Sequence, residues 1–167
     1  MEGFPTLYTE RLKLRKIAFE DIPNLIKYAN NKKIADRIVN IPFPYREPDA
    51  AFRMSYVVQG FKKKARYTFS ITWKKTNELI GEISLHLLKD HRGEIGYWIG
   101  EPLWNQGIGT EAVGAVIQFG TEQLQLQEIT ASCKVDNIAS SKVLMKNGMK
   151  ETVRTGQLIQ YHLKPKS

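Results

Sequence analysis

The sequence predicts a mixed α/β fold of the α+β kind, built on one central sheet. Three strand-like runs follow one another between Tyr67 and Ile99, joined by short polar turns. From Gly109 onward, helical and extended patterns alternate to the last apolar residues. No internal repeat, low-complexity stretch or Gly/Ser linker divides the 167 residues, so one domain is expected over 1–167.

Taken in order, Arg11 to Ile17 alternates, with Leu12 and Leu14 on one side and Lys13, Arg15 and Ile17 on the other, which reads as a strand. A helix is expected near Glu20. After the turn-rich Ile41-Pro42-Phe43-Pro44, residues Met54, Val57, Val58 and Phe61 fall at i, i+3, i+4 and i+7 and predict an amphipathic helix ended by Lys62, Lys63 and Lys64. Tyr67–Trp73 and Leu79–Leu88 read as an antiparallel pair across the polar Lys74–Glu78 connection. The turn His91-Arg92-Gly93 leads to a third strand, Glu94–Ile99, which completes a meander. Gly109–Gln123 is expected as a helix with Val113, Val116, Ile117 and Gly120 on one face. Then come a strand at Ile129–Cys133, a helix at Asn137–Asn147, and a hairpin of Met149–Thr155 and Leu158–Leu163 around Gly156.

Composition narrows the function classes. Hydrophobic residues at 42% and charged residues at 25% place the chain among globular proteins rather than disordered ones. The start carries Glu2 and Glu10 without an apolar stretch, and no run reaches the roughly 18 apolar residues of a membrane span, so a cytoplasmic protein without membrane contact is expected. A single cysteine, Cys133, excludes an intramolecular disulfide, and His86, His91 and His162 are too scattered for a zinc site, so no metal is expected. The formal charge of +8 favours anionic partners such as RNA, ribosomes or a phosphorylated cofactor.

The chemistry-bearing segment runs from Glu94 to Ala112, a strand entering a glycine turn that opens a helix. Gly107 and Gly109 let the backbone approach a bulky anion, and the unpaired N–H groups of the helix's first turn point at it with the positive end of the dipole. No Gly-Lys-Ser/Thr follows, as a nucleoside-triphosphate loop needs, and the third glycine of a dinucleotide fingerprint is missing. An isolated glycine pair would serve equally to shape a tight turn. Downstream, Asn137 and Ser140 suit a helix start and would serve equally as caps.

With Trp104 ahead of Gly107 and Gly109, the turn resembles motif A of the GNAT superfamily, Q/R-x-x-G-x-G/A after the fourth strand; Trp104 stands at the Gln/Arg position. Gly96-Tyr97-Trp98, Thr110-Glu111-Ala112, Asn137-x-x-Ser140, Val143-Leu144 and Lys146-x-Gly148-Met149 are similar to the ribosomal-protein N-terminal acetyltransferase branch, with Met149 replacing the usual Phe. The resemblance runs from Thr9-Glu10-Arg11-Leu12 to about Met149. It departs at Thr155-Gly156-Gln157, where relatives carry a longer insertion beside the acceptor pocket.

That resemblance implies a mixed sheet of about seven strands flanked by about four helices. It implies transfer of an acetyl group from acetyl-CoA to a primary amine by direct attack in a ternary complex. The splayed strand end, Tyr97, Trp98 and Ile99, is then expected to hold the cofactor through its backbone. Trp104, Gln106, Gly107, Ile108, Gly109 and Thr110 are expected at its pyrophosphate, and Asn137 and Ser140 beside it. Glu94, sharing a strand face with Gly96 and Trp98, is the expected base, its pKa raised by burial; Glu82 and His86 are rivals. Many members carry a tyrosine seven residues after the asparagine to protonate the leaving thiolate; here that position is Leu144, and Ser140 is the expected substitute. Cys133 reads as a buried small hydrophobe. The implied partners are an acceptor amine, as a protein N-terminus or a small molecule, and a ribosomal protein; a homodimer is left open. Two other functions stay open: an acyl-CoA-binding module without catalysis, and an RNA- or ribosome-associated module using Lys62, Lys63, Lys64 and Arg66 beside Tyr67.

Overall fold

A computed structural model describes residues 1–165. The short strands β1 (Leu7–Tyr8) and β2 (Leu12–Arg15) are followed by α1 (Ile22–Ala29), α2 (Lys32–Ala35) and α3 (Glu47–Lys62). The meander is β3 (Arg66–Trp73), β4 (Leu79–Leu88) and β5 (Arg92–Ile99). After it come α4 (Ile108–Gln118), β6 (Glu128–Lys134), α5 (Ile138–Lys146), β7 (Lys150–Thr155) and β8 (Leu158–Leu163). All eight strands join one sheet in the order β1-β2-β3-β4-β5-β6-β8-β7. Every neighbouring pair is antiparallel except β5 and β6, which α4 connects.

The sheet has one strand, and its surroundings one helix, beyond the expected numbers. β1 and α2, of 2 and 4 residues, are too short to display a hydrophobic period. The helix expected to reach Gln123 stays α-helical only to Gln118 and widens into a π turn at Phe119–Gln123. There Gly120 lies so close to the sheet that an added Cβ would meet Ile129 and Leu126 side-chain atoms at 3.1 and 3.3 Å.

Strand alternation sends side chains to two cores. On one face Leu12, Leu14, Ile83, Leu85 and Ile95 pack with Ile108, Val113 and Val116 of α4. On the other, Leu25 of α1 and Val57 of α3 pack with Leu79 and Trp98. Because both faces are covered, Arg15, expected on the side away from Leu12 and Leu14, is buried rather than solvated. Its guanidinium donates to both Asp21 oxygens at 2.8 and 2.7 Å, which offsets the desolvation of the two charges.

The basic cluster beside Tyr67 divides. Lys62, Lys63 and Lys64 are exposed at the end of α3, whereas Arg66 turns inward, its guanidinium 3.5 Å from the Tyr56 ring centroid and donating to the Tyr56 carbonyl. What remains is a solvated helix end. No helix among the described residues is long and apolar enough to cross a membrane.

One irregularity positions the site. β5 pairs with β6 only from Arg92↔Glu128 to Ile95↔Ala131. Beyond that point β5 continues to Ile99 against β4, and β6 continues to Lys134 against β8. The two parallel strands therefore part, leaving one backbone edge of Gly96–Ile99 without a strand partner.

Candidate active site

The glycine turn lies at the mouth of this gap. Gly107 adopts a left-handed conformation (φ 78°) and precedes α4 without a side-chain cap, so the first N–H groups of the helix stay free for a ligand. Ile108, buried, pins the turn to the core, and Trp104 Nε1 donates to the Ile99 carbonyl at 2.7 Å, tying the turn to the strand end. At Gly109 an added Cβ would stand 3.2 Å from Tyr97 Cε2 and 3.5 Å from Val143 Cγ2, so a side chain there would disturb both. Asn147 Nδ2 donates to the Thr110 and Val143 carbonyls, locking α5 against α4.

A cavity of about 510 Å³ opens between this turn, the end of β5 and α5. Asn137 caps α5 by accepting from the Ser140 backbone N–H at 3.2 Å, so the capping reading of Asn137 is realised while the residue also lines the cavity. Tyr97, its ring set beneath Gly109, donates from Oη to Ser140 Oγ at 3.3 Å. Burial pushes the Tyr97 hydroxyl pKa up, so it remains a proton donor.

A second cavity, about 440 Å³, lies on the α3 side of the gap and shares Arg37, Ile38, Tyr97, Asn137 and Ser140 with the first. Glu94 and His86, opposite one another in the β4–β5 register, both line it. Glu94 is only half-buried, short of the deep burial expected of it. Burial lowers the His86 pKa, with Glu94 pulling the other way, which favours a neutral imidazole. Glu82 is the deeply buried carboxylate, at 2% exposure, and is already engaged. It accepts from Arg53 Nε at 3.1 and 3.3 Å and from Trp98 Nε1 at 3.0 Å. Cys133 lines this cavity too; burial first, and Glu151 second, raise its thiol pKa, which keeps it from acting as a thiolate.

Of the positions expected at the cofactor, Tyr97, Trp98, Ile99, Trp104, Gly107, Ile108, Gly109, Thr110, Asn137 and Ser140 line the first cavity. Gln106 does not: it is exposed and donates to the Pro102 carbonyl at 3.4 Å. The Trp98 indole belongs to the α1–α3 core. Sequence reasoning missed Arg37, Lys142 and Lys146 on the first cavity, and Arg53 and Tyr56 on the second. The i, i+4 spacing of Lys142 and Lys146 on α5 was a legible signal of a shared face. Arg37 sits in an aperiodic connection and carried none.

A glycine-lined cleft walled by lysines and meeting a second cavity at a serine and a tyrosine is an arrangement suited to a transferase that takes an acyl group from a CoA thioester. The particular family follows from comparison. Residues 11–150 match the family model described as an acetyltransferase (GNAT) domain, and the chain belongs to that family. It is 34% identical over 142 residues to an uncharacterized N-acetyltransferase p20 of Bacillus licheniformis, covering 83% of this chain and 79% of that one. Against the ribosomal-protein-serine acetyltransferase of Escherichia coli (strain K12) it is 30% identical over 144 residues, covering 84% and 79%. The solved Mycobacterium smegmatis RimJ in complex with CoA-disulfide superposes with a TM-score of 0.84 at 15% identity, over 97% of this chain and 88% of that one. The protein is thus an N-acetyltransferase, with acetyl-CoA as donor.

Proposed function

We propose that the acceptor is the α-amino group of a polypeptide, acetylated where the two cavities meet, and that the chain works as one catalytic domain. The observation that carries this is continuity of the acceptor side. A third cavity, about 500 Å³, shares Asn40, Arg53 and Tyr56 with the second and runs out to the exposed Phe52. A groove of this extent suits several residues of extended chain better than a compact amine. No residue of β7 or β8 lines any of the three cavities, so the short hairpin leaves this side open, and α3 with the segment before it forms its wall. A ribosomal protein is the natural acceptor to test, since the Escherichia coli relative is named for acting on one.

Acetyl-CoA supplies the thioester. The free N–H groups at the start of α4, with Lys142, Lys146 and Arg37, hold its phosphates, and the unpaired edge of Gly96–Ile99 orients its chain. On the acceptor side, neutral His86 or Glu94 takes a proton from the incoming ammonium, because only the neutral amine is nucleophilic. On the donor side, Tyr97 Oη fills an acceptor position of Ser140 Oγ, leaving the serine's own proton for the departing thiolate. The test is acetylation of synthetic peptides matching ribosomal-protein N-termini, set against spermidine, free amino acids and an aminoglycoside. Peptides are expected to turn over fastest; preference for a small amine would overturn the reading.

A further inference from the structure

We propose that Arg53 selects the acceptor: its guanidinium reads an acidic side chain lying within the first few residues after the reacting amine. This rests on the polypeptide reading above and adds to it the chemistry of the peptide.

Arg53 reaches from α3 over β4, and only its Nε is spent, on Glu82, itself held by the Trp98 indole. The pair is enclosed, with side-chain exposures of 12% for Arg53 and 2% for Glu82, so the guanidinium has a fixed orientation. Among the described residues its two terminal nitrogens make no hydrogen bond. Arg66 Nε is the sole fully buried, unpartnered side-chain polar atom among those residues. The Arg53 terminal nitrogens therefore reach accessible space, and Arg53 lines both the second and third cavities. Two parallel donors on a rigid plane match a carboxylate.

The groove is polarised along β4. Glu94 and His86 stand at one end, suited to the amine. Arg53 is anchored at Glu82, whose Cα lies four residues, roughly 13 Å at about 3.3 Å per residue, back from His86 on the same strand face, and its guanidinium lines the same cavity as His86 and Glu94. A free amino acid holds its carboxylate only two bonds from its amine and leaves the part of the groove that continues past Arg53 to Phe52 empty. An extended peptide with an acidic side chain among its second to fourth residues fills it. A polyamine would present a cation to Arg53 and leave those donors unpaired.

The experiment is an Asp-for-Asn scan of positions two to four in an otherwise constant hexapeptide, with kcat/KM measured for the wild-type enzyme. At one position Asp is expected to exceed Asn by roughly ten- to a hundredfold, as for a charge-assisted hydrogen bond at a desolvated site. A ratio near one at all three positions overturns the proposal. In Arg53→Gln the preferred ratio should collapse towards one. Arg53→Met/Glu82→Gln removes both buried charges together, in case the single variant strands Glu82, and should collapse the ratio equally; persistence of the preference in either folded variant overturns the role of Arg53. If no peptide is acetylated, the polypeptide reading fails. The Asp and Asn peptides are then compared by calorimetry on the enzyme–CoA complex, where tighter Asp binding sustains the inference and equal binding ends it.

Discussion

Arg11 and Glu111, a hundred residues apart in the chain, are joined twice: Glu111 accepts from the Arg11 backbone N–H at 2.8 Å and from Arg11 Nε at 2.8 Å. Thr9 Oγ1 adds a third donor at 2.7 Å. The start of the chain is thereby fastened to the helix that presents the glycine turn, and an added Cβ on Gly107 would lie 3.4 Å from Arg11.

Burial alone would raise the Glu111 pKa, but the Arg11 backbone N–H, the Thr9 hydroxyl and the Arg11 guanidinium together hold it below the usual carboxylate range. A lowered folded-state pKa stabilises the fold above the unfolded value, about 4.3, and that contribution is lost as pH falls through the folded one. Glu111→Ala is expected to cost about 1–3 kcal/mol at pH 7. In thermal melts across pH, the gap between variant and wild type should close below about pH 4. A constant gap would assign the loss to packing alone.

Gly109→Val should remove the cofactor cradle, since its Cβ meets Tyr97 Cε2 at 3.2 Å. Acetyl-CoA at about 100 times Kd stabilises a binding protein by about 2.7 kcal/mol. The wild type should show the corresponding rise in Tm and the variant should not. An equal rise in both would place the cofactor elsewhere.

Ser140→Ala is expected to lower turnover about a hundredfold and Tyr97→Phe about tenfold, each leaving the acetyl-CoA-induced Tm rise intact. Because the two hydroxyls act in series, the double variant should be little worse than Ser140→Ala. Full turnover in Ser140→Ala would leave water as the proton donor.

His86 and Glu94 separate by pH. Burial lowers the His86 pKa below 6.5, so its neutral form persists into mildly acidic solution; the linked stability is present above about 6.5 and lost as pH falls through the lowered value. If His86 takes the proton, Glu94→Gln removes a charge that raises the His86 pKa, and the acidic limb of the pH–kcat profile moves to lower pH. If Glu94 takes it, Glu94→Gln depresses turnover at every pH while His86→Ala has little effect on turnover. In either case acetyl-CoA affinity should be nearly unchanged.

Much of the fold was legible. β4 occupies the expected Leu79–Leu88, and the α3 stripe of Met54, Val57, Val58 and Phe61 faces inward, because periods of 2 and 3.6 survive wherever one face of an element packs on a core. β1 and α2 escaped because two and four residues hold less than one full pattern. In the site, the glycine turn and the Asn137–Ser140 helix start were readable because helix entry is a local event. Gln106 shows the converse. A motif position says where the backbone runs, but the side chain turned to the nearby Pro102 carbonyl.

The sequence by itself determined the meander, the crossover and a phosphate-fit turn at a strand-to-helix junction, all properties of residues close along the chain. Only the tertiary structure decided that β5 and β6 part after Ile95 and Ala131, that Tyr97 meets Ser140, and that Glu82 is consumed by Arg53 and Trp98 while Glu94 and His86 face the open cavity. Those outcomes join residues 43, 29 and 16 positions apart, whose pairing depends on strand register and on which sheet face a helix covers. No local periodicity encodes such choices; competition among buried polar groups for the few partners within reach settles them.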